Sequence, residues 1–390
     1  MAFERQFILV ADDDEAINEA LAMTLERDGR TVILCSDVDA AEIAVTHFPI
    51  THLVTDVQFT GEFGFEGLHS LERIRALSPH CRIVLMTGQY SEALRKNAIS
   101  HGAACVLAKP FDTDDLEEAL RGPDAVDEWD SAPYEVLRIP SIEEILRSDA
   151  LNIAFQPIVR LRGDSTVTFA YEALTRIRGH WLTGGPASLF EYAQRRGKLA
   201  ELNLLTMRRA IESAVTLPKD VSIFINIDPL AFRHPRLLSD LLEETLFSGI
   251  APERIVLEVT ERSGFAADTP DPVFDDLHAA GVRFALDDHG SAHSHLEQIG
   301  RIRPSFIKIS NTIGTAFELD ETKKRIVRHT LALASDFGCE TILEGVESGA
   351  TARAAADTGV PLAQGFYFSR ARAASHWMGS KKVRERSIAC

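Results

Sequence analysis

The stretch FALDDHG, residues 284–290, is a short apolar run that ends in polar residues, including two acids. Runs of this length are typical of strands buried in a parallel sheet. Six more runs in the C-terminal two thirds of the chain share the pattern, and most of them also end in a carboxylate or an amide. They are YEALTR (171–176), FINID (224–228), IVLEVTE (255–261), FIKIS (306–310), ILEGVE (342–347) and AQGFYFS (363–369). Because helical segments separate these runs, the pattern predicts an α/β fold.

The segment that carries these runs, residues 139–380, has the length of one (β/α)8 barrel, which typically needs roughly 250 residues. In such a barrel the carboxyl ends of the strands meet at one rim. We therefore expect a cluster of acids and one amide to face one another there. Its members are Glu172, Asn226, Glu258, Asp287 and Asp288.

Carboxylates this close together repel one another in a partly desolvated site unless cations neutralise them. Oxygen ligands favour hard divalent ions such as Mg²⁺ or Mn²⁺, whereas zinc fits poorly because no HExxH motif is present. Two such ions about 4 Å apart suit the in-line hydrolysis of a phosphodiester. Lys308 can stabilise developing charge, and Arg176 can bind a phosphate with two parallel hydrogen bonds. Glu344 and Gln364 can add ligand or hydrogen-bond contacts.

From FQPIV (155–159) to AQGFYFS, the chain resembles an EAL domain, whose motif stands here as Glu172-Ala173-Leu174. The resemblance implies an EAL-type, TIM-like (β/α)8 barrel with one antiparallel strand. It also implies hydrolysis of cyclic di-GMP to pGpG with two Mg²⁺ or Mn²⁺ ions, by a homodimer or higher homo-oligomer. Matched by motif, the metal ligands are Glu172, Asn226, Glu258, Asp287, Asp288 and Gln364. The catalytic positions are Lys308, Glu344 and Glu261, and the substrate contacts are Gln156 and Arg176.

Several positions depart from the EAL pattern and leave a second function open. The loop usually written DDFGTGYSSL stands here as DDHGSAHSHL, residues 287–296. The usual acid of the lysine motif is Ser310, and the proline expected after the glutamine motif is Ala371. These changes motivate the alternative of a weak or inactive cyclic di-GMP receptor that signals through a protein partner.

The N-terminal third has five short β-branched runs that alternate with amphipathic segments, which predicts a flavodoxin-like (βα)5 sheet. The runs are FILVA (7–11), TVILC (31–35), HLVTD (52–56), RIVLMT (82–87) and CVLAK (105–109). Polar residues collect at the carboxyl ends of these runs, where open α/β sheets bind ligands. The sequence therefore predicts a second site at that edge.

The predicted second site joins acids with one lysine. Asp12 and Asp13 would hold one Mg²⁺, Asp56 would be the nucleophile, and Lys109 and Thr87 would contact a phosphoryl group. The segment resembles a response-regulator receiver domain, from ILVADDD to AKPF. The resemblance implies that Asp56 accepts phosphate from a cognate histidine kinase. It also implies an aromatic residue in the fifth strand, where this chain has Val106.

These assignments predict four segments. They are a receiver domain (1–121), a linker (122–138), an EAL domain (139–380) and a basic, mobile tail (381–390). The linker sequence shows no helical or strand period. Ser141 with Glu144 three residues later predicts a capped helix directly after the linker.

The composition excludes several other classes of protein. The 390 residues include 41 Lys and Arg against 58 Asp and Glu, a net charge of −17, which disfavours binding to DNA or to anionic membranes. No apolar run approaches the roughly 20 residues of a membrane helix. The start of the chain lacks a signal-peptide pattern, so we expect a cytoplasmic protein.

Overall fold

The computed structural model describes residues 5–59, 66–121, 132–179, 184–233, 243, 249–260, 272–289, 296–378 and 386–387. The chain forms two compact units, each with residues from two stretches of sequence. One unit comprises Met1–Ala150 and Ile177–Lys198, and the other comprises Leu151–Arg176 and Leu199–Cys390.

The first unit is a parallel sheet with helices between its strands. Its elements are β1 (Gln6–Ala11), α1 (Glu15–Thr24), β2 (Arg30–Cys35), α2 (Val38–His47), β3 (His52–Asp56), α3 (Glu66–Leu77), β4 (Arg82–Thr87), α4 (Glu92–Ser100), β5 (Cys105–Ala108), α5 (Thr113–Arg121), β6 (Glu135–Arg138), α6 (Ile142–Arg147) and α7 (Gly185–Arg195). The strand order is β5-β4-β3-β1-β2-β6. All five predicted strands are confirmed, as is the flavodoxin-like arrangement.

The strands of this sheet are continuous apolar runs because helices cover both of its faces. In β1, Ile8, Leu9 and Val10 are fully buried although they point alternately to opposite faces. The predicted cap after the sheet is also confirmed: Ser141 and Glu144 form a capping box at the start of α6.

The prediction of an unstructured linker through residue 138 was wrong for its last residues. Glu135–Arg138 forms β6, which pairs in parallel with β2 from Thr31 to Leu34. Without β6, the edge of β2 would leave a row of backbone hydrogen-bonding groups unpaired. Four residues beside a proline carry too weak a period to reveal this pairing from sequence.

The second unit is a barrel. Its elements are β7 (Leu151–Arg162), β8 (Ser165–Ile177), α8 (Leu199–Ala214), β9 (Ser222–Ile227), β10 (Ile255–Thr260), α9 (Pro272–Ala279), β11 (Arg283–His289), α10 (Leu296–Ile302), β12 (Phe306–Ile309), α11 (Asn311–Gly314), α12 (Glu321–Asp336), β13 (Glu340–Leu343), α13 (Gly349–Thr358), β14 (Leu362–Gln364) and β15 (Arg386–Ser387). The strand order is β8-β7-β14-β13-β12-β11-β10-β9, and pairing of β8 with β9 closes the barrel.

The predicted barrel is confirmed: eight strands form a closed ring, and one of them is antiparallel. β7 runs antiparallel to β14, whereas β8 to β14 otherwise pair in parallel around the ring. The interior is filled by buried side chains such as Phe224, Val256 and Ile342. This packing brings the carboxyl ends of the parallel strands to one rim.

The prediction of a mobile tail was wrong for two residues. Arg386–Ser387 forms β15, which pairs antiparallel with Ser165 and Thr166 of β8. This short pairing provides hydrogen-bond partners for backbone groups at the start of β8. Two residues are too few to show the alternation that predicts a strand from sequence. Within the described part of the chain, no helix is long and apolar enough to span a membrane.

Candidate functional site

The rim of the barrel collects one polar side chain from each of five neighbouring strands, β8 to β12. Strand register explains part of this convergence. Asn226 of β9 lies directly opposite Glu258 of β10, and Asp287 of β11 lies opposite the end of β10. Residues in register on neighbouring parallel strands point to the same face, so their side chains meet inside the rim.

Lys308 lies at the centre of this cluster. Its Nζ is 2.7 Å from Glu258 Oε1, 2.8 Å from Glu344 Oε1, 3.2 Å from Asp287 Oδ1 and 3.6 Å from Glu172 Oε1. Lys308 is 1% exposed and Glu258 is fully buried. One ammonium group therefore faces four carboxylates in a place that water hardly reaches.

The shifted pKa values show how strongly these groups interact. Burial opposes the charge of Lys308, but the four surrounding carboxylates outweigh it and raise its pKa well above the usual range. Burial, together with the charge of Glu172, raises the pKa of Glu258 well above its usual value. Burial also raises the pKa of Glu344 to about 7, although Lys308 opposes this shift. Four acids surround one lysine, so the fully ionised site has an excess of negative charge that the lysine alone does not neutralise.

Amide side chains hold Glu172 from two sides. Asn226 Nδ2 donates to Glu172 Oε1 at 3.1 Å, and Gln364 Nε2 donates to Glu172 Oε2. Gln364 Nε2 also donates to Gln156 Oε1 at 3.2 Å, while Gln156 Nε2 donates to the carbonyl oxygen of Ser369 at 3.1 Å. Burial raises the pKa of Glu172, but Lys308 and these donors bring it below its usual value.

The donor set suits a hard divalent cation. Glu258 Oε2 and Gln364 Oε1 are buried and accept no hydrogen bond from any described residue, so each can still serve as an oxygen ligand. Among the described residues, however, no three Asp, Glu, His or Cys side chains converge on one metal position. The carboxylates turn towards Lys308 Nζ instead.

Some predicted site residues lie away from this cluster or outside the described residues. Arg176 is exposed and donates to the carbonyl oxygen of Thr175 at 2.8 Å. Glu261 and the loop at 290–295 lie outside the described residues, as does the side chain of Asp288. Ser310, at one position that departs from the EAL pattern, is buried and caps the start of α11.

Sequence reasoning missed Asn203, which fixes the chain just after Asn226. Asn203 is fully buried in α8, and its Oδ1 accepts a hydrogen bond from the backbone N–H of Asp228 at 3.0 Å. Its Nδ2 donates to the carbonyl oxygen of Leu199. The signal was a polar residue on the otherwise apolar face of α8, since buried amides need partners of this kind.

The first unit contains a smaller cluster at the carboxyl ends of its strands. Lys109 Nζ is 2.7 Å from Asp12 Oδ2 and 2.6 Å from Asp56 Oδ2. Burial raises the pKa of Asp12, although hydrogen bonds from Lys109 and Asp14 oppose this shift. Burial opposes the charge of Lys109, but the two acids outweigh it and raise the pKa of Lys109.

Asp56 is accessible enough to react, because 15% of its side chain is exposed. Its Oδ1 accepts a hydrogen bond from the backbone N–H of Gln58, which fixes the carboxylate. Thr87 ends β4 beside β3 and is buried, with its Oγ1 accepting from the backbone N–H of Gln89. Asp13 follows Asp12 at the same edge and is partly exposed. Carboxylate oxygens of this kind are the ligands that Mg²⁺ prefers, and the Mg²⁺ itself stays a prediction.

A parallel sheet with an acid cluster, joined to a barrel with a lysine among acids, defines a two-domain signalling protein of the receiver and EAL type. The family model of the response regulator receiver domain matches residues 8–121, and that of the EAL domain matches residues 140–371. The EAL match covers more than half of the chain, so the protein belongs to the EAL domain family.

Individual relatives support the same grouping. The probable cyclic di-GMP phosphodiesterase PdeN of Escherichia coli is 29% identical over 233 residues, 58% of this chain and 44% of PdeN. The cyclic di-GMP phosphodiesterase RocR of Pseudomonas aeruginosa is 23% identical over 346 residues, 83% of this chain and 85% of RocR. The solved manganese and cyclic di-GMP complex of Klebsiella pneumoniae BlrP1 is 27% identical with a TM-score of 0.52, covering 58% of this chain and 57% of BlrP1.

Most of these relatives are longer proteins. The chain spans 30%, 44% and 45% of the length of three curated relatives that it matches. The match to RocR differs because it extends through both domains of the present chain.

Proposed function

We propose that this protein is a response regulator that hydrolyses cyclic di-GMP to pGpG in its EAL domain. One observation carries the proposal: Glu172, Glu258, Asp287 and Glu344 surround Lys308 at the rim of a barrel that belongs to the EAL family. PdeN and RocR, which carry the name of this activity, support the choice of substrate.

The proposed site uses one or two divalent cations, Mg²⁺ or Mn²⁺, as in the manganese complex of BlrP1. Glu172, Asn226, Glu258, Asp287, Asp288 and Gln364 would hold them. When bound, such ions make a water molecule more acidic and neutralise charge on the phosphate. The unpaired oxygens of Glu258 and Gln364 support this role, because a cation would supply the partner that each lacks.

The chain's own residues then have separate tasks in the proposed reaction. Lys308, positively charged in its acidic surroundings, stabilises negative charge that develops on the reacting phosphate. Glu344 lies 2.8 Å from Lys308 Nζ and has a pKa of about 7, so it can exchange a proton near neutral pH. Arg176 is exposed beside the rim and can bind the substrate phosphate.

Gln156 keeps its predicted contact with substrate as part of the proposal. It is buried and accepts a hydrogen bond from Gln364, so we propose that it also orients Gln364. Glu261 and Asp288 keep their predicted roles as parts of the proposal.

The direct test is turnover of cyclic di-GMP by the full chain with Mg²⁺, Mn²⁺ or no metal. Release of pGpG only with metal is the expected result. Replacement of Glu172 by alanine should abolish this hydrolysis, because it removes the carboxylate at the centre of the amide contacts. Calorimetric binding of cyclic di-GMP without turnover under any metal would instead identify a receptor that signals through a partner.

The receiver domain is proposed to regulate this activity. Asp56 would accept a phosphoryl group from a cognate histidine kinase, with one Mg²⁺ held by Asp12 and Asp13. Lys109 already contacts both Asp12 and Asp56, so it can stabilise the added charge. The active form is proposed to be a homodimer or higher homo-oligomer.

Regulation is tested by comparing turnover with and without a small phosphodonor. The wild-type rate should change when the donor is added, and Asp56→Asn should give the same rate in both conditions. A response that survives in Asp56→Asn would show that the donor acts elsewhere. Sedimentation of the chain with and without donor measures the oligomeric state.

A further inference from the structure

Glu344 belongs to a short segment that is held on both sides by hydrogen bonds between backbones. The N–H of Glu344 donates to the carbonyl oxygen of Ile309 at 3.1 Å, just after Lys308 in β12. On the other side, the N–H of Val346 donates to the carbonyl oxygen of Gln364 at 3.0 Å. The segment therefore sits between the turn after Lys308 and the end of β14.

Gly314, in the turn after Lys308, packs closely against the backbone of Glu344. It is the last residue of α11 and is buried. A β-carbon built on Gly314 would lie 1.6 Å from the carbonyl oxygen of Glu344 and 2.8 Å from its carbonyl carbon. Both atoms are backbone, so a side chain at position 314 fits only if the backbone of Glu344 moves.

A second close approach between the same two segments lies at Gly345. Gly345 has a φ of +69°, and a β-carbon there would lie 2.8 Å from the carbonyl oxygen of Asn311 and 3.0 Å from its Cα. The first and last residues of α11 thus both touch the Glu344–Gly345 backbone. This approach is closer than any pair of larger residues would allow.

This close approach sets the position of the Glu344 carboxylate. Glu344 Oε1 is 2.8 Å from Lys308 Nζ, and Lys308 is joined to α11 through only Ile309 and Ser310. Two contacts therefore fix the backbone of Glu344 relative to the segment that follows Lys308. One is the hydrogen bond from Glu344 N–H to the carbonyl oxygen of Ile309, and the other is the close approach of Gly314. A misplacement of about 1 Å in a catalytic constellation can cost roughly a hundredfold in rate.

We propose that Gly314 is a positioning residue of the phosphodiesterase site, and that it acts by holding the backbone of Glu344 within reach of Lys308. The inference rests on the proposed hydrolysis of cyclic di-GMP. No contact with substrate is assigned to Gly314 itself.

The test compares Gly314→Ala with Gly300→Ala in the full chain. Both glycines lie in helices and neither has a positive φ, so alanine is compatible with each backbone. A β-carbon at Gly300 meets no atom within 4 Å, whereas the one at Gly314 meets Glu344. We expect kcat to fall about tenfold to a hundredfold for Gly314→Ala and to stay within about twofold for Gly300→Ala. KM should change little in either variant.

A second comparison shows whether Gly314 acts through Glu344. Two residues that act as one unit have non-additive effects on rate. Glu344→Gln should lower kcat, and adding Gly314→Ala to it should lower kcat by less than about another twofold. A full further loss in the double variant would overturn the inference, as would wild-type kcat in Gly314→Ala alone.

Folding and function are separated by two further measurements. The stoichiometry of cyclic di-GMP binding by calorimetry gives the fraction of folded sites, and kcat is expressed per folded site. Gly345→Ala would place a β-carbon against the backbone of Asn311 at the start of α11 and would also strain the backbone at a φ of +69°, so it should lower kcat at least as much as Gly314→Ala. If Glu344→Gln is impaired and Gly314→Ala is not, only the inference fails. If the wild-type chain releases no pGpG, the proposed function fails and the inference fails with it.

Discussion

The two domains contain the same kind of cluster, a single lysine among carboxylates at the carboxyl ends of parallel strands, but in different surroundings. In the receiver, Lys109 contacts Asp12 and Asp56 and is 21% exposed. In the barrel, Lys308 lies within 3.6 Å of four carboxylates and is 1% exposed. With every group counted as ionised, the formal charge is −1 in the first case (two acids, one lysine) and −3 in the second (four acids, one lysine).

Burial therefore determines how strongly such a cluster depends on a bound cation. The receiver cluster has a smaller excess of negative charge and is partly open to water, so it depends less on a bound ion than the barrel cluster does. The barrel cluster is buried and has excess negative charge, which raises the pKa of Glu258 and Glu344. Unpaired charge of this kind is costly and favours the binding of cations. Four measurements test this contrast.

The largest effect is expected for Lys308→Met, which removes the cation from the barrel cluster. The proposed hydrolysis of cyclic di-GMP should fall by about 10²- to 10⁴-fold, because the site loses the cation proposed to stabilise developing negative charge. Lys219→Met, at an exposed position, is the control and should keep the wild-type rate. A rate within threefold of wild type in Lys308→Met would contradict the central role of Lys308.

Metal binding should stabilise the barrel more than the receiver. With metal at about a hundred times its Kd, we expect about 2.7 kcal/mol of stabilisation from one bound ion. Thermal unfolding with Mn²⁺ and with EDTA measures this shift. Glu258→Gln should lose most of it, since it removes a buried charged ligand, and Asp12→Asn should keep it. If both variants lost the metal-induced stabilisation equally, the barrel would not depend on metal more than the receiver does.

The metal-free barrel should lose stability as the pH rises from about 4.5 to about 7. In this window Glu344 is protonated in the folded protein, where its pKa is about 7, but ionised in the unfolded chain, where its ordinary pKa is 4.5. The unfolded state thus binds fewer protons, and stability falls with rising pH. Below pH 4.5 both states are protonated, and above 7 the penalty stays constant.

Urea unfolding in EDTA across this range measures the effect. Glu344→Gln should flatten the dependence because it removes the titrating carboxyl group. Glu347→Gln, at the exposed neighbouring acid, should leave the slope as in the wild type. The same slope in all three proteins would show that another group is responsible.

The smallest effect is expected for Lys109→Gln in the receiver. Lys109 is partly exposed, so loss of its ion pairs should lower the free energy of unfolding by only about 1 kcal/mol. Urea unfolding at pH 7 measures the change. A loss of several kcal/mol would show that the receiver cluster is as dependent on its lysine as a fully buried pair would be.

Much of the fold could be predicted from sequence because its signals are local. Apolar runs bounded by polar residues identified the five receiver strands and the seven barrel segments, and the capping pattern at Ser141 identified α6. The rule that parallel strands end at one edge then brought Glu172, Asn226, Glu258 and Asp287 together. The pairing of β6 with β2 was missed, since it depends on an open edge far away in sequence.

Which side chains reach the rim follows from the sequence, because the alternation of residues along a strand and the direction of the strand are local properties. How these side chains meet there depends on the packing of the folded chain. This packing places Lys308 among four acids, joins Gln364 to Gln156 by a hydrogen bond, and brings Gly314 against the backbone of Glu344. These contacts join segments that are distant along the chain, and their distances are set by the packing of the whole barrel rather than by any local pattern.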